Sequence, residues 1–134
     1  SIASLEHIPS KERLAYLKEL KRVAKKKVLI YFPTGKTAEN YDKKLLNFRK
    51  FLGKKDPWTE EHIKNGLPSI NLIKQIFPNS NIKNIQNAYL WYLIMIIQTI
   101  PLLNKFLPGI IYFILKPLDK FQPFIGIFVN CKID

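Results

Sequence analysis

Between residues 11 and 33 the spacing of apolar positions changes once, and the change marks two elements. Leu14, Leu17, Leu20 and Ala24 recur every three or four residues with Val23 beside them, while Lys11, Lys18, Lys21 and Arg22 occupy the other faces. This spacing predicts a one-sided helix of about four turns. Ser10 is placed to accept from its first free amides, and basic residues gather where the helix dipole favours them. Val28 to Phe32 then reads VLIYF without interruption and closes at Pro33 and Gly35. A run that is β-branched or aromatic and too short for a helix suits a strand covered on both faces of a parallel sheet. Helix, lysine-rich hinge and buried strand make half of a βαβ unit, and the preceding strand is expected to end near residues 1–4.

The pattern then loosens. Thr34-Gly35-Lys36 predicts a turn, and Thr37 to Lys55 is polar and basic with Leu45, Leu46, Phe48, Phe51 and Leu52 embedded. This segment reads either as a helical lid over the carboxyl edge of the sheet, where open α/β sheets take ligands, or as an ordinary surface helix. Gly35-Lys36-Thr37 looks like the end of a phosphate-binding loop, but the leading glycine is absent and the reading is discarded. Asp56-Pro57-Trp58 ends the segment, and Thr59, Glu60 and Glu61 predict a helix start. Gly66-Leu67-Pro68-Ser69 breaks that helix and begins another, with Ile70, Ile73, Ile76 and Phe77 on one face. Ile82 to Ala88 reads as a strand of less regular pattern, and Phe124 to Lys132 (FIGIFVNCK) as a strand returning to the sheet.

From Asn84 to Asn104 no residue is charged; Lys105 interrupts, and FLPGIIYFIL follows. A helix from Ala88 to Leu103 would span about 24 Å, short of the roughly 30 Å hydrocarbon layer. Pro101, Pro108 and Gly109 break it further, and a lysine at mid-bilayer would cost about 2.5–3.5 kcal/mol. A hairpin of two apolar pieces lying in one leaflet fits better, with Tyr89, Trp91, Tyr92, Phe106 and Tyr112 near the headgroups. A buried core or dimer face is the alternative.

Charge sharpens this picture. The net charge of +12 is uneven: residues 11–64 hold 16 of the 22 basic residues, and residues 65–134 only 6. A basic half beside an apolar half points to an anionic membrane surface more than to nucleic acid, for which no reading motif accompanies the charge. A lysine-rich background composition would give the same excess. The single Cys131 excludes an internal disulfide and reads as a small buried residue in a reducing compartment. Length and a hydrophobic content of 47% suffice for one domain with its own core. The chain opens on Ser in mid-element, so a further part is expected upstream.

Leu5-Glu6-His7-Ile8-Pro9, followed by Arg13, Leu17, Glu19, Arg22-Val23 and Lys27-Val28-Leu29-Ile30, resembles the middle of class I S-adenosylmethionine-dependent methyltransferases, of the type 11-like kind. Glu61-His62 and Gly66-Leu67-Pro68 are similar to a later segment of some members. The likeness is specific over residues 1–36, weaker over 57–88 and absent over 89–121. It implies the carboxyl-terminal half of a doubly wound, Rossmann-like α/β sheet. Residues 1–36 would form the loop after the fourth strand, a helix and the fifth strand, and residues 37–58 a basic lid. Residues 59–88 would hold helices and the sixth strand, 89–121 an apolar helical insertion, and 122–134 the seventh strand.

The implied activity is methyl transfer from S-adenosylmethionine to a small-molecule acceptor, with the insertion favouring a hydrophobic or lipid-linked one. Such enzymes work largely by holding a nucleophile in line with the sulfonium methyl. Glu6 and His7, at the donor edge, are the candidate catalytic pair, His7 as proton acceptor; structural roles in the loop and the next helix start are the alternative. Donor contacts fall on Ile2, Ala3, Ser4 and Leu5, and substrate or lid contacts on Tyr31, Pro33, Trp58 and His62. Some quinone-type relatives hold a metal with a further Glu three residues before the Glu-His pair; that position is Ala3, so no metal is expected. The glycine-rich turn and ribose-binding acid of the family would lie upstream, and these residues by themselves should bind the donor weakly or not at all. A cytoplasmic place, peripheral on the inner membrane face, follows from the same reading. A non-catalytic membrane module with the same half-fold is the competing function.

Overall fold

The computed structural model describes residues 4–133. It is a mixed α/β fold in which helices pack around a three-stranded sheet. The first helix, α1, covers Arg13–Val23. It begins later than expected: Pro9 and Ser10 lie in turns, and Glu12 stands at the cap position with no side-chain hydrogen bond to the helix amides. Leu17 is fully buried and Leu14 and Leu20 partly so, whereas Val23 is exposed.

Strand β1 covers Lys27–Pro33, with Val28, Ile30 and Phe32 buried. The long basic segment is helix α2, Gly35–Phe51, closed by Leu52 and by Gly53 at φ +68°, a left-handed position that glycine takes without strain. Helix α3, Pro57–Asn65, starts at Asp56, whose carboxylate accepts from the Thr59 amide, with Pro57 in the first turn. Ser69 caps α4, Ile70–Ile76, by accepting from the Leu72 amide. Strand β2, Asn81–Asn87, is a polar edge strand, partly exposed and ending on the buried Asn87. Strand β3, Phe124–Lys132, is buried or half-buried through Val129, with Asn130 and Lys132 exposed.

The sheet order is β1-β3-β2, and both pairings are antiparallel. Lys27 sits opposite Lys132, and Asn81 opposite Asn130. The parallel partner expected for β1 is therefore replaced, among the described residues, by an antiparallel one. An apolar run shows that a strand is covered, but it carries no information on the direction of its neighbour. Since β1 and β2 both oppose β3, they run parallel to each other, joined by α2, α3 and α4. The main core lies where α1 and α4 cover this sheet, around Leu17, Ile30, Phe32, Ile73, Phe77 and Val129. A smaller one joins Ala38 of α2, Ala88 and Ile125, with Trp91 packed against it.

The apolar insertion folds as two short helices, α5 (Ala88–Thr99) and α6 (Leu107–Leu115), followed by a 3-10 turn, Lys116–Lys120. The first ends four residues short of the expected Leu103, before Pro101. No helix is long and apolar enough to cross a membrane among the described residues. Asn87 anchors the base of the hairpin: its side chain accepts from the Tyr89 and Leu90 amides and donates to the Phe121 carbonyl at 2.9 Å, and its own amide donates to Asp119.

One close approach fixes β1 against β3. A Cβ added to Gly126 would lie 2.8 Å from the Tyr31 ring and 3.1 Å from the Phe32 carbonyl oxygen. The ring has some freedom to turn, but the carbonyl belongs to the strand backbone. Gly126→Ala is expected to cost about 1–3 kcal/mol, read as a lowered denaturation midpoint. An unchanged midpoint would mean that the strands separate freely here.

Candidate functional site

The turn after residue 4 and the start of α1 are held by one side chain. Arg13, 4% exposed, donates through Nε to the Leu5 and Ile8 carbonyls at 3.1 and 2.9 Å. Its Nη2 reaches the carbonyls of Glu6, Asn65 and Gly66. A planar guanidinium with five donors can bridge several carbonyls in this way, and a lysine cannot. Arg13 thus ties the Glu6-His7 turn to the end of α3, and Asn65 adds a hydrogen bond to the His7 carbonyl at 3.1 Å.

This staple sets His7 beside His62. Their Nε2 atoms are 3.4 Å apart, and their ring centroids 4.7 Å. Each ring is backed by a carboxylate: His7 Nδ1 lies 2.9 Å from Glu61, and His62 Nδ1 lies 3.0 Å from Asp42 of α2. Trp58 packs edge-on against His7 at 4.8 Å between centroids.

Glu6 completes the cluster. Its side chain is 2% exposed, and Oε2 has no hydrogen-bond partner among the described residues. Burial pushes its carboxyl above the ordinary range and the nearby Asp42 charge adds to this, while its own backbone amide, His62 and His7 oppose the shift. For His62, burial alone would lower the pKa. The Asp42 hydrogen bond and charge, with Glu6 and Asp56 behind them, outweigh it and hold the ring above its usual value. Tyr31 is pushed up to about 12 by burial, with the charges of Glu6 and Asp42 adding to it.

These groups line a cavity of about 460 Å³ that also takes in Pro33, Trp91, Met95 and Ile125. The structure therefore gathers Glu6, His7, Tyr31, Pro33, Trp58 and His62, expected separately as catalytic or lid residues, around one space. Ile2 and Ala3, expected to touch a donor, lie outside the described residues. Leu5 is fully buried in the main core, and its carbonyl is engaged by Arg13; Ser4 is half-buried. Of the five aromatic residues expected at headgroups, Tyr89 and Phe106 are well exposed and Tyr112 moderately so. Tyr92 instead packs near Tyr41, and Trp91 turns inward to the cavity.

Asp42, Arg13 and Asp56 carry the site without having been singled out. Asp42 and Arg13 had a signal in the sequence. Asp42 stands in the stripe Ala38, Asp42, Leu45, Leu46, which is the buried side of α2, and Arg13 precedes Leu17 and Leu20 on the apolar side of α1. A charge in an apolar stripe is a buried charge that needs a partner.

Asp56 closes the far wall. Burial would raise its carboxyl, but hydrogen bonds from Thr59 and from Arg49, at 2.6 Å, reverse this and hold it below its ordinary value. A depressed folded pKa means that the stabilisation is complete above the ordinary value of about 3.9 and is lost as pH falls through the lower folded one. Asp56→Asn is therefore expected to lower the denaturation midpoint near neutral pH and to narrow its gap to wild type as pH falls below about 4. A gap independent of pH would show that the ion pair contributes nothing.

A search of protein-family models, curated proteins and solved structures finds no match for this chain.

Proposed function

We propose that this chain is the acceptor-side part of an S-adenosylmethionine-dependent methyltransferase acting on a hydrophobic or lipid-linked acceptor. The observation that carries the reading is that the apolar hairpin and the histidine cavity adjoin, with lining residues in common. Between α5 and α6 lies a second cavity of about 350 Å³, which shares Trp91 and Met95 with the Glu6-His7-His62 space. A third, of about 670 Å³ against α6, shares Tyr31 with that space and Gln86, Tyr112 and Asp119 with the second. An acyl or polyprenyl chain held by the hairpin would present its head to the polar cluster.

Three further features support the reading. The Glu6-His7 turn carries the family resemblance and opens into this space. β1 and β2 run parallel and are joined through helices, as in the half of a doubly wound sheet that the resemblance implies. On the outer side, α6 and the preceding turn expose Leu102, Phe106, Ile110, Phe113 and Ile114, with exposed Lys105, Lys116 and Lys120 nearby. An apolar surface rimmed by lysines suits peripheral attachment to an anionic leaflet.

In the proposed reaction an acceptor oxygen, nitrogen or carbon would displace the methyl from the donor's sulfonium, the C–S bond breaking to release S-adenosylhomocysteine as the new bond forms, and the acceptor's proton would pass to His7 or Glu6. The chain's residues supply orientation and a dry, charged environment rather than a covalent intermediate. The test uses the whole protein that carries these residues, incubated with methyl-labelled donor and a total lipid extract. Label entering the organic phase, and lost in His7→Ala, supports the reading. Label confined to water-soluble acceptors would overturn the lipid assignment, and no transfer with retained vesicle binding would leave a non-catalytic membrane module.

A further inference from the structure

We infer that Glu6, His7 and His62 form a binding site for a divalent transition-metal ion of the zinc class. A carboxylate can only accept, so the contacts to Glu61 and Asp42 place a hydrogen on Nδ1 of each histidine. In the neutral rings both Nε2 atoms are then bare lone pairs, and they face each other at 3.4 Å. Two lone pairs at that distance repel unless something positive lies between them.

A tetrahedral ion with bonds of about 2.0–2.1 Å to nitrogen sets its ligand nitrogens about 3.3 Å apart. The observed separation matches that spacing. Glu6 supplies the third ligand, a buried carboxylate with an unpartnered oxygen beside the two rings. The three ligand atoms lie within 4.8 Å of one another. Closing the carboxylate onto the ion takes a movement of at most about 1.5 Å, within reach of a side-chain rotation. Two histidines and one carboxylate leave a position open for a solvent or acceptor oxygen, and in the loaded chain the ion, by making that oxygen's proton more acidic, would stand in for His7 and Glu6 as the group that eases its loss.

The surroundings are those of a metal site. Each histidine is oriented by an outer carboxylate on its other nitrogen, which fixes the tautomer and raises ligand basicity. Ala3 stands where the resemblance would require a second acidic ligand, which is why no metal is expected from the sequence. His62, brought in from α3 by the Arg13 staple, fills that role from 55 residues away. Metal loading can be read whether or not the chain transfers methyl groups, so the two proposals fail separately.

The 134-residue chain, stripped with chelator, is titrated with zinc by calorimetry and with cobalt by visible absorption. One ion per chain and the strong absorption of tetrahedral cobalt are expected, with no comparable binding of magnesium, which prefers oxygen ligands. The chain has only two histidines, both at this site, so a histidine-ligated ion can sit nowhere else. His62→Ala should weaken zinc binding at least about 100-fold, and Asp42→Asn, which keeps all three ligands, by about 10- to 100-fold. If His62→Ala does not fold, the Asp42→Asn result decides. Absence of stoichiometric zinc, or binding unchanged in these variants, would overturn the inference and leave a shared proton between the rings.

Discussion

Arg13→Ala is expected to lower the unfolding free energy by about 3 kcal/mol or more and to disorganise the histidine cavity. The residue is 4% exposed and reaches five carbonyls from two separate segments, residues 5–8 and residues 65–66. Hydrogen bonds from a charged donor are worth roughly 1.5–3 kcal/mol each, and several are lost together, although not additively. Truncation also leaves buried carbonyls that water must enter to satisfy. Arg13→Lys keeps the charge but offers one point donor in place of a fork, so it should recover only part of the loss. Urea unfolding monitored by circular dichroism measures both variants, with the midpoint compared at constant slope. A loss below about 1 kcal/mol for Arg13→Ala would show that solvent replaces these bonds without cost. In a variant that still folds, the separation of His7 from His62 should increase, and any metal affinity should fall with it.

The second large effect is expected at the membrane. Phe106 and Phe113 are 79% and 82% exposed, so exchanging both for aspartate should leave stability within about 0.5 kcal/mol. Burying a phenylalanine side chain in apolar surroundings gains about 1.5–3 kcal/mol. Removing two such side chains and adding negative charge beside an anionic leaflet should reduce vesicle partitioning by at least about 100-fold. Co-flotation with vesicles containing anionic lipid, at low and high salt, measures this. A wild-type chain that stays behind at low salt, or a double variant that floats equally well, would remove the hairpin from the membrane. The lysines near the hairpin predict a further dependence: raising salt should weaken wild-type binding without abolishing it, since the apolar contribution is unscreened.

Much of the local structure was legible because it depends on neighbours in the chain. Phe124–Lys132 was read as a strand to the residue, since a continuous apolar run with Gly126 and Val129 has few alternatives. Ser69 and Gly66 marked a helix start and stop through chemistry confined to one turn. Ser10 misled for the same reason: a good capping residue was available, but residues 9–12 form a separate turn before α1 begins. At the site, Glu6, His7 and His62 follow from the resemblance, Arg13 is part of it but received no role, and Asp42 is hidden within a basic helix.

The sequence by itself determined which segments are helix or strand, although not every boundary, together with the basic half and the uncharged hairpin, because periodicity, capping and composition act over a few residues. Tertiary structure alone decided that β3 pairs antiparallel with both neighbours, that Trp91 faces inward, and that two histidines oppose each other. Each of these depends on segments tens of residues apart meeting at particular distances, and no local pattern encodes a distance of that kind.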